Sequence, residues 1–415
     1  MVSNTAGAEN VAGQPRAKKA SRVWWVVHQW VGLKLSIFMS FILLTGTLAT
    51  LGHEIDWLLA PGARVNPATV EGPLNWAGMA EAAAAEVPEG RIQLLFAPLD
   101  PWWASGAYVV DGEGRRRIVF THPTTAEVRD NRSVVTAQMI LRRMHRHLFI
   151  VPTQIGVVIV SALSILLAIS LVTSFVVYKK WWRGFFKPLR GRDARTWMGD
   201  FHRLAGLWTL WFTALMVLTG VWYLVESLGG HAPAMESAEM APIEAPAPEV
   251  AARLAESLAA VREASPDLRL RLIRFPSEDS GAFVFQGQDD AVLVRPRANT
   301  VWTEAATGEV KLVTDGVDLS LHQRISEMAD PLHFGTFGGI WTKLIWFLFG
   351  ALMTGLSITG AAIYALRIMK SRREAPRFGS AAALSLQGMG LWKWLGTALL
   401  AACAVFFVIT LFAAL

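Results

Sequence analysis

Apolar residues run together at about positions 29–51, 151–178, 206–226, 340–366 and 394–415. Each run is about 20 residues or longer, enough for a helix to cross roughly 30 Å of hydrocarbon. The pattern therefore predicts spans over 23–51, 145–178, 204–226, 333–366 and 392–415. Between them lie two long mixed segments with the same internal order. In the first, residues 52–143, an Ala-rich helical stretch (Trp76 to Glu86) precedes the β-type runs "RIQLLFAP", "GAYVVDG" and "RRIVFTH", then a helix from Thr136 to Arg146. The second, residues 227–330, opens on the Pro/Ala linker "HAPAMESAEMAPIEAPAPE". It continues with a helix from Pro248 to Glu263, the runs "LRLRLIRF", "GAFVFQG" and "AVLVRPR", and an amphipathic segment from Val317 to Met328. The chain reads as a tandem duplication, each half a span, a small α+β external domain and a returning span. A fifth helix is appended, and residues 1–20 are expected to be a disordered tail.

Composition agrees: 53% of residues are hydrophobic, 18 are tryptophan and only 17% are charged, more apolar surface than a soluble domain covers. The net charge of +6 raises the question of nucleic acid, but the basic residues gather from Arg16 to Arg22, Lys179 to Arg203 and Arg367 to Arg377, each against a span. That is the positive-inside distribution, so no nucleic-acid partner is expected. It makes 179–203 and 367–391 cytoplasmic loops, the N-terminus cytoplasmic, and both α+β segments external. The first apolar run is too long for a signal peptide and reads as a retained anchor. The single cysteine, Cys403, falls in the fifth helix, which rules out disulfides and thiolate metal clusters in the external parts.

Two spans open on a histidine. Residues 28–49 read "HQWVGLKLSIFMSFILLTGTLA" and 202–223 read "HRLAGLWTLWFTALMVLTGVWY"; in both, a Gly-Leu pair begins four residues after the His and a Thr-Gly pair seventeen after it. At about 100° per residue, Gly32 and Gly46 share the face of His28, as Gly206 and Gly220 share that of His202. The returning spans carry His145, His147 and His333 at their external ends. One imidazole pair per leaflet results, with glycines leaving room beside it. A lone polar residue at a helix end needs no function, and glycines also permit close helix packing. Neither explains four histidines at matching places. Without carboxylates or thiolates nearby, two facing imidazoles suit the iron of b-type haem better than zinc. Two haems in series would conduct electrons across the membrane. No CxxCH sequence exists for covalent attachment.

These motifs, with "MHRHLFIVPTQIG" and "LHFGTFGGIW", resemble the PepSY-associated transmembrane family over roughly residues 22–370, and within it the inner-membrane siderophore-iron reductases of Gram-negative bacteria. The resemblance implies a two-haem bundle with external, periplasmic PepSY domains that reduces ferric siderophore iron. The family's Leu-His maps onto Met144-His145, whereas the internal repeat pairs His147 with His333; His145 is the preferred ligand. The PepSY turn departs from the family pattern, "HPTTAEV" at 122–128 and "EAATGEV" at 304–310, and is read as structural. So are His122, His231 and His322. His53, with Glu54 and Asp56 at the external mouth, is the candidate substrate-side group.

The expected function is thus a ferric-chelate reductase with two haems b, fed by a cytoplasmic reductant or quinol. Alternatives are a membrane-anchored PepSY module that binds a protease or peptide, and a quinone-linked cytochrome b. A transporter would require ionisable groups at mid-membrane, and the first four spans carry essentially none.

Overall fold

The computed structural model describes residues 16–242 and 247–414. Of the tail expected over 1–20, residues 1–15 lie outside the described residues and 16–20 belong to the first helix. In chain order, α1 (Arg16–Lys34), α2 (Ser36–Thr50) and α3 (Gly52–Leu59) lead to α4 (Trp76–Glu86) and strands β1 (Arg91–Phe96), β2 (Ser105–Val110), β3 (Arg116–Thr121) and β4 (Val128–Ser133). The chain returns through α5 (Ala137–His147), α6 (Thr153–Ser161) and α7 (Leu163–Val177). The second half runs through α8 (Ala194–Trp208), α9 (Leu210–Val225), α10 (Ala247–Ala264), β5 (Arg269–Arg274), β6 (Ala282–Gln288), β7 (Asn299–Glu304), β8 (Val310–Thr314), α11 (Leu321–Phe334) and α12 (Gly339–Ser371). Helices α13 (Phe378–Met389) and α14 (Trp392–Ala414) follow.

Among the described residues four helical stretches are long and apolar enough to cross a membrane, Thr153–Val177, Leu210–Gly230, Gly339–Ser371 and Trp392–Phe412; the α1–α2 pair passes the same test only when its two helices are counted together as one span. That pair is not the continuous helix expected over 23–51: α1 and α2 meet at 67°. Lys34 supplies the reason. An ammonium group near the N-terminal end of an apolar run needs an acceptor, and the bend lets its Nζ donate to the Gly388 carbonyl at the end of α13, 2.6 Å away. α12 packs along α2 and α8, α7 along α1 and α9, and α14 against α2. Phe38, Ile42, Leu163 and Cys403 form part of the apolar core between these helices.

The two α+β units expected as separate domains share one antiparallel sheet of eight strands, ordered β4-β3-β2-β1-β5-β6-β7-β8. The halves join through β1 and β5, where Leu95 pairs with Ile273, both wholly buried. Register shifts recur at matching places, Ile92/Leu94 against Leu270/Leu272 and Phe120/Thr121 against Trp302/Thr303. The duplication thus extends to the bulges. α4 packs against α10 over one core that includes Ala80, Ala83, Leu254, Phe283 and Phe285. The alanines let α4 lie close.

"AVLVRPR" is not a strand. Leu293 takes a positive φ of 57°, Pro296 has no N–H to give a ladder, and the Arg295 N–H goes to the Glu327 carboxylate. The strand forms just beyond, as β7. β4 carries no alternating apolar pattern, because its "VRDNRS" is almost wholly polar, as edge strands often are.

Under the sheet, Lys343 of α12 donates to Glu54 of α3 at 2.7 Å, with side chains 8% and 19% exposed. Breaking one partner of a buried pair costs about 3–5 kcal/mol, mostly from the stranded charge. Lys343→Met should therefore lower the thermal midpoint clearly, and Lys343→Met with Glu54→Gln should recover most of the loss. A double variant no better than the single would mean the pair does not hold these elements together.

Candidate functional site: two cavities with paired histidines

Two cavities open within the bundle. One, of 830 Å³, lies on the side that carries the sheet and is lined by His145, His147, His333, Gly46 and Gly220. The other, of 470 Å³, lies toward the basic loops and is lined by His28, His202, Gly32 and Gly206. The structure brings all nine singled-out residues to one cavity or the other. Met39, Leu43, Leu167 and Met353 line both, so one layer of apolar side chains separates the cavities.

The surroundings of each imidazole fix where its proton sits. His28 Nδ1 lies 2.9 Å from Thr173 Oγ1, His202 Nδ1 3.0 Å from Thr359 Oγ1, and His333 Nδ1 2.8 Å from Thr219 Oγ1. A hydroxyl has one proton to give. Each of these threonines gives it to a carbonyl one turn back: Thr173 to Ile169 at 2.7 Å, Thr359 to Gly355 at 2.7 Å and Thr219 to Leu215 at 2.9 Å. The threonine oxygen then accepts, and Nδ1 is the donor. The fourth case is simpler, because His145 Nδ1 lies 2.9 Å from the Ile42 carbonyl, which can only accept. With each threonine proton on the carbonyl of its own helix, all four rings carry their proton on Nδ1 and leave a lone pair on Nε2.

His147 differs. It also lines the sheet-side cavity, but its Nδ1 is buried with no partner among the described residues, and its ring lies against Phe149. His145 instead faces His333, with ring centroids 6.1 Å apart and planes 33° from parallel. The glycines divide as well. A Cβ on Gly46 would come within 2.5 Å of the His145 ring, so this glycine makes room for the imidazole itself; a Cβ on Gly32 would meet nothing within 4 Å. Gly220 abuts Ser164, which makes it a helix-packing glycine, and Gly206 comes no nearer than Leu356 at 3.8 Å.

The mouth residues have structural employment. Glu54 pairs with Lys343, and Asp56 accepts from the Ala137 and Gln138 N–H groups at the start of α5. His53 packs edge-on to Trp103, and burial, with the Lys343 and Arg142 charges, holds its pKa down to about 4. His122 bridges Thr69 and the turn at Thr124 and Thr125.

Sequence reasoning missed the threonines, although the signal was there: Thr173 and Thr359 each stand five residues before the tyrosine that ends their repeat, Tyr178 and Tyr364. It also missed the rim of the sheet-side cavity. There Arg295 donates to both oxygens of Glu327 (2.7 and 2.9 Å) and to Asp330 (2.9 Å), Arg297 donates to Glu327 (2.9 Å), and Tyr223 donates to Asp330 (2.7 Å). Glu327, Asp330 and His333 lie three residues apart on one face of α11.

The model of the PepSY-associated TM region matches residues 25–367. The chain belongs to the PepSY-associated transmembrane family. No curated protein matches it. The matched span runs from just before His28 to just beyond α12's Tyr364, so both cavities and the whole sheet fall within the family's common part.

Gly46→Ala should push the His145 ring out of its place, at a cost of about 1–3 kcal/mol for overpacking, while Gly32→Ala should be tolerated. Thermal unfolding of the two variants distinguishes them; equal midpoints would mean that His145 is not seated against Gly46.

Proposed function

We propose that this membrane protein is a di-haem b oxidoreductase that passes electrons across the bacterial inner membrane and reduces ferric chelate iron on the side of the sheet. The observation that carries the reading is the set of four imidazoles, each with its proton tied to Nδ1 and its Nε2 lone pair free, two in each of two stacked cavities. The His145 and His333 ring centroids lie 6.1 Å apart, a spacing at which both imidazoles would reach one metal centre through bonds of about 2.0 Å. Each cavity would offer the group an imidazole pair, a donor set that suits haem iron.

When bound, haem b supplies one-electron redox chemistry. The chain's own residues do the rest. His28 with His202 would hold one haem, and His145 with His333 the other. Thr173, Thr359, Thr219 and the Ile42 carbonyl orient the rings and raise their basicity. Met39, Leu43, Leu167 and Met353 keep water out of the gap while leaving it one side chain thick. The positive-inside distribution of the basic segments supports a cytoplasmic side for the loops at 179–203 and 367–391 and a periplasmic side for the sheet, where an imported ferric siderophore would arrive. A cytoplasmic reductant or quinol supplies the electron at the basic-side cavity. The ferric ion takes it at the other, and the ferrous product is held more weakly by hard oxygen donors.

Purified protein from haem-replete cells should be red and yield two haems b per chain on acid-acetone extraction. His28→Ala or His202→Ala should remove one of them, His145→Ala or His333→Ala the other, and His147→Ala neither. Thr173→Val or Thr359→Val should weaken retention by about 10–100-fold, as loss of an orienting partner does, with Thr→Ser restoring it. Colourless protein, or equal loss of both haems from every variant, would refute the reading.

A further inference from the structure

The two cavities are built by duplicated halves, yet they differ by about 360 Å³, 830 against 470. That excess lies within the roughly 300–1,000 Å³ of ordinary ligand pockets. If each histidine pair holds the same group, the sheet-side cavity has room for a second ligand beside it. Its extra lining is polar: Arg142, Arg146, Arg297, Tyr223, Glu226 and His231.

The charges there do not balance internally. Arg295 is committed to Glu327 and Asp330, and Glu226 accepts from Ser326. Arg142 and Arg146 have no carboxylate within 4.0 Å among the described residues and donate no hydrogen bond to them; Arg142 only lies over the Phe334 ring, at 5.4 Å. Arg297 shares Glu327 with Arg295 and keeps its side chain 52% exposed. In the basic-side cavity Arg203 is paired, donating to the Gly184 and Lys187 carbonyls with Asp200 3.8 Å away, while Arg367, like Arg142, lies over an aromatic ring, that of Trp25. The halves differ in the sheet too. β2 and β3 are joined by the tight turn 111–115, whereas the equivalent β6–β7 connection, 289–298, is twice as long and brings Arg295 and Arg297 to the rim.

We infer that Arg142, Arg146 and Arg297 bind the carboxylates of an anionic, hydroxycarboxylate-type iron chelate in the upper part of the sheet-side cavity. Planar guanidiniums suit carboxylates, which they bind through paired N–H donors. A chelate with free carboxylates would supply the missing negative charge, whereas a cationic chelate would face two unpaired arginines. This inference rests on the ferric-chelate reading above.

The test is calorimetric titration of the purified holoprotein with ferric citrate and with the ferric complex of a cationic linear trihydroxamate. Ferric citrate should bind at least about tenfold more tightly. Iron-free citrate should compete for the site and its neutral triethyl ester should not. Arg142→Gln and Arg146→Gln should each weaken ferric citrate by roughly tenfold or more while the haem bands stay unchanged. Equal binding of the two complexes, or no competition by citrate, overturns the inference, and these wild-type measurements decide it even if a variant does not fold. Loss of the sheet-side haem from Arg142→Gln would also overturn it, because the guanidiniums would then serve the carboxylates of the resident group. A haem-free protein that still binds citrate through these arginines would support the site and remove only the electron-transfer reading.

Discussion

An imidazole offers a lone pair to a cavity only when its proton is held on the other nitrogen, and in this bundle that condition is met at four places. Each Nδ1–H is spent on an acceptor belonging to a neighbouring helix: Thr173 of α7, Thr359 of α12, Thr219 of α9 and the Ile42 carbonyl of α2. The same four bonds tie α1 to α7, α8 to α12, α11 to α9 and α5 to α2. Helix packing and ring orientation are therefore one constraint. In an apolar interior an unsatisfied hydroxyl or N–H is costly, so the threonines that back-bond to their own helices and accept from histidine leave little polar capacity unused.

Duplication explains much of the layout and also marks where it has been set aside. His28 and His202 have matching threonine partners at matching positions. On the sheet side the correspondence breaks: His333 bonds Thr219, but the equivalent Thr45 bonds only its own helix, to Phe41 and Ile42, and His145 takes a carbonyl in its place. The strict repeat partner of His333, His147, is left without a hydrogen bond for its Nδ1. The longer β6–β7 connection belongs to the same departure. Both asymmetries fall at the larger cavity, the one below the sheet.

What was legible in the sequence is what period and spacing encode. The apolar runs, the Trp76–Glu86 helix, the runs that became β1, β2, β3, β5 and β6, and the histidines and glycines that line the cavities all follow from local pattern. Contacts between distant segments were not legible. The bend at Leu35 depends on Lys34 meeting a carbonyl more than 350 residues away. The single sheet depends on β1 finding β5, and the loop at 289–298 on Arg295 finding Glu327. Glu54 and Asp56 looked available because a sequence cannot show that Lys343 and the start of α5 already use them.

The central claim is that electrons cross from the basic-loop side to the sheet side through two separately ligated sites. It is tested most directly in sealed vesicles that carry the chain in one orientation, with an impermeant reductant on the basic-loop side and a ferric chelate with an impermeant ferrous indicator on the other. The account predicts that ferrous iron appears on the sheet side, and that His28→Ala and His145→Ala each abolish it in intact vesicles. Ferrous iron formed equally well without the histidines, or none formed until the membrane is breached, would contradict it.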